Sequence, residues 1–439
     1  MTRTLRLLII SDEVWNDNVH GNNVLTNWFE KFSENYNTEI AHIYCNPGLP
    51  YNKCCKKYFQ ITDLMMVKSI TRNIKAGEII YYNEYPALDN SLKGNGEAEN
   101  KTLYDWLKLF SGEPIRAIRD IIWSIGRYNK SELYRFLNDF KPDIIYSPRF
   151  ATVKILRLEK IVYDYLKKPL VAFTGDNEYP LRLFSLSPIF WLRRFVVRRS
   201  IRKMMPNYSL YYTLSEEQKD EYEEEFGHKF KILHKCDEFR TKMEIKEPGK
   251  PIKMMYAGKL YCNRWKALQA IGEAIALINK DHIKLQLDIF TRDKVSRKQL
   301  KALNNDKDIF LKEPLLPIEV KEVFKKYDIA LHVESLDFKN RLITRVSFST
   351  KIVDCLASGC AVMAICWNKH SGYTYLKRED AAICVDNPDN ISLVLKEILD
   401  NPRIITEYII KARNCGQRNH QKDDVQEGLY KDFIKLIGN

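Results

Sequence analysis

Short apolar runs alternate along the chain with longer stretches in which apolar residues recur at helical period. The runs predict buried strands at Arg6–Ser11, Glu39–Tyr44, Asp143–Ser147, Pro169–Thr174 and Tyr208–Thr213. A second series follows at Lys253–Ala257, Lys284–Phe290, Ile309–Lys312, Ile329–Val333, Ala361–Ile365 and Ala382–Val385. Between them the periodicity predicts helices, among them Val24–Asn35, Arg116–Phe140, Pro188–Met205, Glu216–Phe226 and Arg264–Asn279. Strands and helices taking turns in this way indicate an α/β fold with parallel sheets.

The two series are separated by a polar segment, Asp237–Pro251, broken by Pro248, Gly249 and Pro251. This predicts an N-terminal domain over 1–245 and a C-terminal domain over 246–417. Each is doubly wound and Rossmann-like. Two such domains face each other across a cleft, and ligands bind in it at the carboxyl ends of the strands.

Composition narrows the picture only in places. A chain of 439 residues with 45% hydrophobic content can bury two cores. The net charge of +13 favours polyanionic partners: nucleic acid, an anionic membrane or a phosphorylated substrate. No nucleic-acid-binding module is visible, so nucleic acid is not expected. The ten cysteines include no Cys-x-x-Cys pair and no Cys/His cluster of zinc spacing. Free buried thiols in a reducing compartment are expected, with no metal. The run Leu5–Ile10 contains Arg6 and reads as a first strand, not as an export signal. No apolar stretch is long enough to span a bilayer. A cytoplasmic protein is expected, with peripheral attachment to the inner membrane face left open.

Four strand-to-helix junctions could carry chemistry. The first leads through His20, Gly21 and Asn22 into a helix, where a glycine permits close approach and a helix start offers free N–H groups. The second is Gly175-Asp176-Asn177-Glu178, where Asp176 could accept a hydrogen bond from an acceptor hydroxyl. Ordinary caps and surface loops explain both junctions equally well. The third opens the second domain: Gly258 ends a strand, Lys259, Arg264 and Lys266 follow, and a helix starts near Asn263. Fixed cations beside a positive helix terminus suit a diphosphate. In the fourth, Ser349 caps a helix carrying Thr350 and Lys351 in its first turn, and Gly359 ends it. Lys351 and Asp354 share one helical face, either as a plain ion pair or as phosphate and ribose ligands.

The order Gly258-Lys259-Leu260…Arg264, then Ser349-Thr350-Lys351…Asp354-Cys355-Leu356-Ala357-Ser358-Gly359, resembles the donor half of GT-B glycosyltransferases. It is most similar to the retaining group that includes bacterial capsule and O-antigen enzymes. The resemblance implies that Lys259 and Arg264 bind the donor diphosphate and that Asp354 binds the nucleotide ribose, where glutamate is usual. Lys351 matches a lysine found in some branches. Many members carry a glutamate eight residues before the ribose acid, and here that position is Val346. Glu334 is a candidate to supply a carboxylate in its place. The resemblance also implies that a last helix, within 418–439, crosses back to the first domain.

The segment 188–205 adds a membrane expectation. It holds six cations, and a helical wheel sets Ile189, Phe190, Val196, Val197, Ile201 and Met204 on one side. Arg194, Arg198, Arg199, Arg202 and Lys203 fall on the other, with Trp191, Leu192 and Phe195. Aromatics among cations suit an anionic lipid surface, while a helix packed on the sheet with an exposed basic side is the plainer alternative.

Together these readings predict a GT-B enzyme. It would move a sugar from a nucleoside-diphosphate sugar to a saccharide hydroxyl, with the acceptor carried on a polyprenyl diphosphate as one option. Lys259, Arg264 and Asp176 are the expected catalytic residues. Gly258, Lys259, Arg264, Ser349, Thr350, Lys351 and Asp354 would bind donor, and His20, Gly21, Asn22 and Asp176 would form the acceptor side. Retention of configuration and independence of metal and cofactor follow from the resemblance. A nucleotide-sugar epimerase of the same architecture and a non-catalytic polyanion-binding protein remain the alternatives.

Overall fold

A strand buried on both faces must be apolar at consecutive positions, and the first strand shows this. Leu7, Leu8, Ile9 and Ile10 are all fully buried in β1, Leu5–Ser11. The computed structural model describes residues 4–17, 24–81, 112–149, 152–175, 177–241 and 245–438. The front sheet adds β2 (Thr38–Tyr44), β3 (Lys57–Gln60), β4 (Glu78–Ile80), β5 (Ile144–Arg149), β6 (Leu170–Thr174), β7 (Tyr208–Thr213) and β8 (Lys231–Ile232). Its order is β4-β3-β2-β1-β5-β6-β7-β8, parallel except for β3 with β4.

The rear sheet is built from β9 (Ile252–Ala257), β10 (Leu285–Phe290), β11 (Ile309–Lys312), β12 (Ile329–Val333), β13 (Ala361–Ile365) and β14 (Ile383–Val385). Its order is β11-β10-β9-β12-β13-β14, all parallel. In each sheet the order reverses beside the first strand, which opens a crevice at the carboxyl ends of the strands. The fold is α/β with two doubly wound sheets.

The final helix, Lys422–Gly438, returns to the front lobe and packs on the helix Val24–Asn35. Tyr430 stacks on Tyr36 with ring centroids 4.3 Å apart, and Phe433 lies against Phe29. Ion pairs Lys31–Asp423 and Lys422–Glu30 flank that seam. One apolar cluster runs without a break from Phe29 and Phe433 to Phe348 and Tyr375 in the rear lobe. All ten cysteines are free.

Two differences from the sequence expectation have local causes. The helix expected over Arg116–Phe140 is two helices, Glu113–Ile125 and Lys130–Phe140. Gly126 leaves helical geometry, and the turn after it pairs with a distant segment, Ala76 N–H donating to Arg127 and Asn129 N–H to Ala76. The short strands β3, β4 and β8 were not foreseen. They have two to four residues, too few to show a period.

Candidate functional site

At the carboxyl end of β9 the chain must turn sharply. Cys262 and Asn263 both adopt the left-handed region, at φ 56° and 61°, before the helix Arg264–Ile278 begins. The turn is tied down by Tyr256, whose hydroxyl donates to the Lys259 carbonyl at 2.7 Å, and by Leu260 N–H donating to Asp293 at 2.6 Å. Gly258 is required here. A Cβ at this position would run into the Lys351 ammonium and lie 2.8 Å from Lys351 Cε. Lys351, from the first turn of the helix at the fourth junction, thus reaches across to the backbone between Tyr256 and Lys259, its ammonium 5.2 Å from the Tyr256 ring centre. Burial pulls Lys351 down to about 8, repulsion from Arg264 adds to the effect, and Glu334 opposes it.

Arg264 is also in this group, and it is paired. Its guanidinium meets Glu334 through Nε at 2.9 Å and through Nη2, with both side chains almost fully buried. Its carbon lies 4.3 Å from the Tyr261 ring centre. Burial alone would raise the Glu334 carboxyl, but Arg264 outweighs it and holds Glu334 below its ordinary value. Glu334 is therefore the counter-charge of Arg264. Lys259 is exposed.

The helix of the fourth junction spans Lys351–Leu356. Thr350, with helical backbone, stands at its cap position, so the expected Ser349 cap is displaced by one residue. Ser349 instead accepts the Ile352 N–H at its carbonyl, 3.0 Å away. Asp354 does not pair with Lys351. It is bound by Lys235, which comes from the segment between the lobes. Val346 is fully buried, and its carbonyl accepts a hydrogen bond from Ser215 of the front lobe at 2.9 Å. His20, Gly21, Asn22 and Asp176 lie outside the described residues.

Sequence reasoning missed His332 on β12 and His370 in the loop after β13. Both are buried, with Cys366 beside them, and potential ligand atoms of the three lie within 4.8 Å of one another. The Gly372 N–H donates to His370 Nδ1 at 3.0 Å, so the neutral ring carries its proton on Nε2. Neither nitrogen of His370 then offers a spare lone pair. That tautomer suits hydrogen-bond donation better than metal ligation. Burial pushes His332 down to about 3 and lowers His370 as well, so both rings are neutral. Only their position at strand carboxyl ends could have singled them out.

The lobes touch at several points around this group. Asn177 donates to Leu342, Arg345 pairs with Glu221, and Thr374 bonds Glu217. His234 stacks on Phe348 at 4.3 Å. A cavity of about 690 Å³ opens beside His234, Phe348 and Tyr375, and its walls include none of Gly258, Lys259 or Lys351.

No sequence-family model matches the chain, and a search of the curated proteins found no relative. Solved structures do resemble it. Staphylococcus aureus TarM, in complex with UDP, superposes with a TM-score of 0.63 at 9% identity over 99% of this chain and 100% of that one. Sucrose-phosphate synthase from Thermosynechococcus elongatus does so at 0.59 and 10%, over 99% of both. The fold is GT-B. A UDP-GlcNAc 2-epimerase from Neisseria meningitidis, bound to UDP-GlcNAc, also superposes, at 0.50 and 14% over 98% of this chain and 100% of its own. Gly258, Lys351 and the Arg264–Glu334 pair gather beyond the carboxyl ends of β9 and β12.

Proposed function

We propose that the chain is a glycosyltransferase that takes a sugar from a nucleoside-diphosphate sugar and passes it to a saccharide hydroxyl. The observation that carries this reading is the placement of the Lys351 ammonium over Gly258, next to Lys259, at the carboxyl end of β9. A diphosphate lodged there meets two cations and a backbone with no Cβ in its way. Departure of the nucleoside diphosphate concentrates negative charge on its terminal oxygens, and preorganised cations stabilise that charge. Lys351 and Lys259 supply it. Arg264, held by Glu334, acts on Lys351 through space and forms the wall behind it. The ribose ligand in this reading is Asp354, which Lys235 must release.

The division of labour proposed is 1–245 with 418–439 for the acceptor and 246–417 for the donor. His20, Gly21, Asn22 and Asp176 belong to the acceptor side of the reading, and Ser349 and Thr350 to the donor side. Uridine is the base of choice, because TarM and the epimerase are complexed with UDP and UDP-GlcNAc. Retention of configuration and metal-independence follow the resemblance. A panel of uridine, guanosine, cytidine and thymidine diphosphates in thermal-shift assays tests the donor class. Stabilisation by none of them would overturn the reading. The epimerase-like neighbour keeps a second reading in play. Turnover of a UDP-sugar without any acceptor would favour it.

The membrane partner is proposed from the helix Pro188–Met204. Its buried side is Arg194, Val197, Ile201 and Met204, so Arg194 leaves the exposed basic side predicted for it, while Ile189 and Val196 are exposed. Leu192, Phe195 and Val196 face outward near the exposed Arg199 and Lys203. The adjoining helix Glu113–Ile125 exposes Ile118, Ile121 and Ile125, one face at helical spacing. Apolar side chains ringed by cations fit an anionic bilayer surface in peripheral contact, on the cytoplasmic side in this reading. Among the described residues no helix is long and apolar enough to cross a membrane. Phe195→Asp should abolish co-sedimentation with anionic liposomes, and unaltered binding would remove the proposal.

A further inference from the structure

We propose that the front lobe contains a second anion site, a cavity that receives the phosphate or diphosphate group of a phosphate ester. Assigning that ester to the acceptor rests on the transferase reading above; the anion site itself does not.

The cavity has a volume of about 340 Å³ and lies between the helix Glu113–Ile125, the start of the helix Val153–Leu166 and the helix Pro188–Met204. Arg116, Arg119, Lys154, Arg193 and Arg194 line it, against Glu113 and Asp120. Most of these cations are matched. Arg193 holds Glu113 at 2.6 Å and Asp120 at 2.8 Å. Arg119 holds Asp63 at 3.2 Å and reaches Asp12, and the buried Lys154 also pairs with Asp12.

Arg194 differs. It is buried, and its donors go to the carbonyls of Pro180 and Asn177, at 2.7 and 2.6 Å. Among the described residues no carboxylate is paired with it. Burial pulls it down to about 10, which leaves it charged at neutral pH. Its hydrogen bonds reach only neutral carbonyls, and Glu178 acts on it from a longer distance. A buried charge without a hydrogen-bonded counter-ion is incompletely compensated, and an anion entering the cavity would complete it. A second feature points the same way. Thr152, at the cap position of Val153–Leu166, makes no capping bond, and its hydroxyl is shielded from solvent with no hydrogen-bond partner among the described residues. Thr152, at the start of a 14-residue helix, lines the same cavity as Arg194.

The donors therefore come from two helices that meet around the space. A tetrahedral phosphate presents acceptor oxygens in every direction, whereas a carboxylate presents them in one plane. The position also suits an acceptor. Asp12, which fixes Lys154 and Arg119, follows β1 directly, and Val153–Leu166 follows β5, so the cavity lies by the carboxyl ends of the front sheet. Ile118, Ile121, Leu192 and Phe195 are exposed on the two flanking helices, where a lipid chain attached to the phosphate could lie.

The test uses the full-length protein saturated with UDP, titrated calorimetrically with inorganic pyrophosphate and, separately, with farnesyl diphosphate. At least one should bind. Arg194→Gln should weaken that binding about tenfold, and Thr152→Val, which leaves every ion pair in place, about threefold. UDP affinity should be unchanged in both variants. Tighter binding of farnesyl diphosphate assigns the anion to a lipid-borne ester, and equal binding assigns it to a soluble one; both support the site. Binding of neither probe would overturn it, as would equal affinity in wild type and both variants once circular dichroism shows them folded. Failure of UDP itself to bind would instead count against the donor reading, because the two variants still localise the pyrophosphate.

Discussion

Two buried arginines, one in each lobe, are handled in opposite ways. Arg264 in the rear lobe is locked to a buried carboxylate, Glu334, through two hydrogen bonds. Arg194 in the front lobe is hydrogen-bonded by carbonyls alone, with the Glu178 carboxylate acting only at longer range. The first arrangement makes a paired unit, whose two charges largely offset each other at the neighbouring Lys351. The second leaves the guanidinium without a hydrogen-bonded carboxylate, so an anion entering the cavity can pair with it. An arginine in a cleft is therefore evidence for an anion site only after its partners are known. Lys351 stands between these cases: it is half-buried and near Glu334, but its ammonium lies over Gly258 without sharing the Arg264 bonds.

The sharpest way to break the comparison is to remove one half of the rear pair. Glu334→Gln should destabilise the protein by about 3–5 kcal/mol in urea unfolding, because it leaves Arg264 buried and unmatched. Arg264→Met combined with Glu334→Leu should recover most of that loss. If Glu334→Gln were silent, the pair would not be the locked unit described.

Next in size is Gly258→Ala. The added methyl displaces the Lys351 ammonium, and nucleoside-diphosphate affinity should fall about tenfold, about 1.4 kcal/mol, by calorimetry with the fold intact. Lys351→Ala should do at least as much.

A pH titration comes third. With Lys351 drawn down to about 8 in the folded chain and near 10.5 when unfolded, the unfolded chain binds more protons between those values. Stability from this group therefore rises as pH climbs from about 8 toward 10.5, and its burial penalty is fully present below 8. Diphosphate binding should run the other way, weakening as pH rises through about 8 when the ammonium is lost. Lys351→Gln should abolish that step.

The smallest effect is expected at the seam between the lobes. Lys235→Ala frees Asp354, the more exposed partner of the pair, and should raise donor affinity a few-fold. A fall in affinity would show that Lys235 helps to hold the donor.

Much of the rear lobe was legible in the chain. The strands from Lys253 to Val385 were readable because most are short, largely apolar runs, the pattern that a parallel strand buried on both faces needs, as in β12 and β13. Gly258 and Lys351 could be nominated from local context, one ending a strand and one opening a helix. Their meeting could not. They are 93 positions apart, and only the packing of β9 against β12 with the helix at Lys351 brings the ammonium over the glycine. Local sequence likewise suggested a Lys351–Asp354 pair from helical spacing, but tertiary structure gave Asp354 to Lys235.

The sequence by itself determined the α/β class, the break between two strand series and the general region where charge gathers, because periodicity and turn residues act over a few positions. Tertiary structure alone decided which charge each cation faces: Arg264 with Glu334, Lys154 with Asp12, Arg194 with carbonyls. Electrostatic partnership depends on distances of a few ångströms between residues far apart in the chain, and no local pattern encodes those distances.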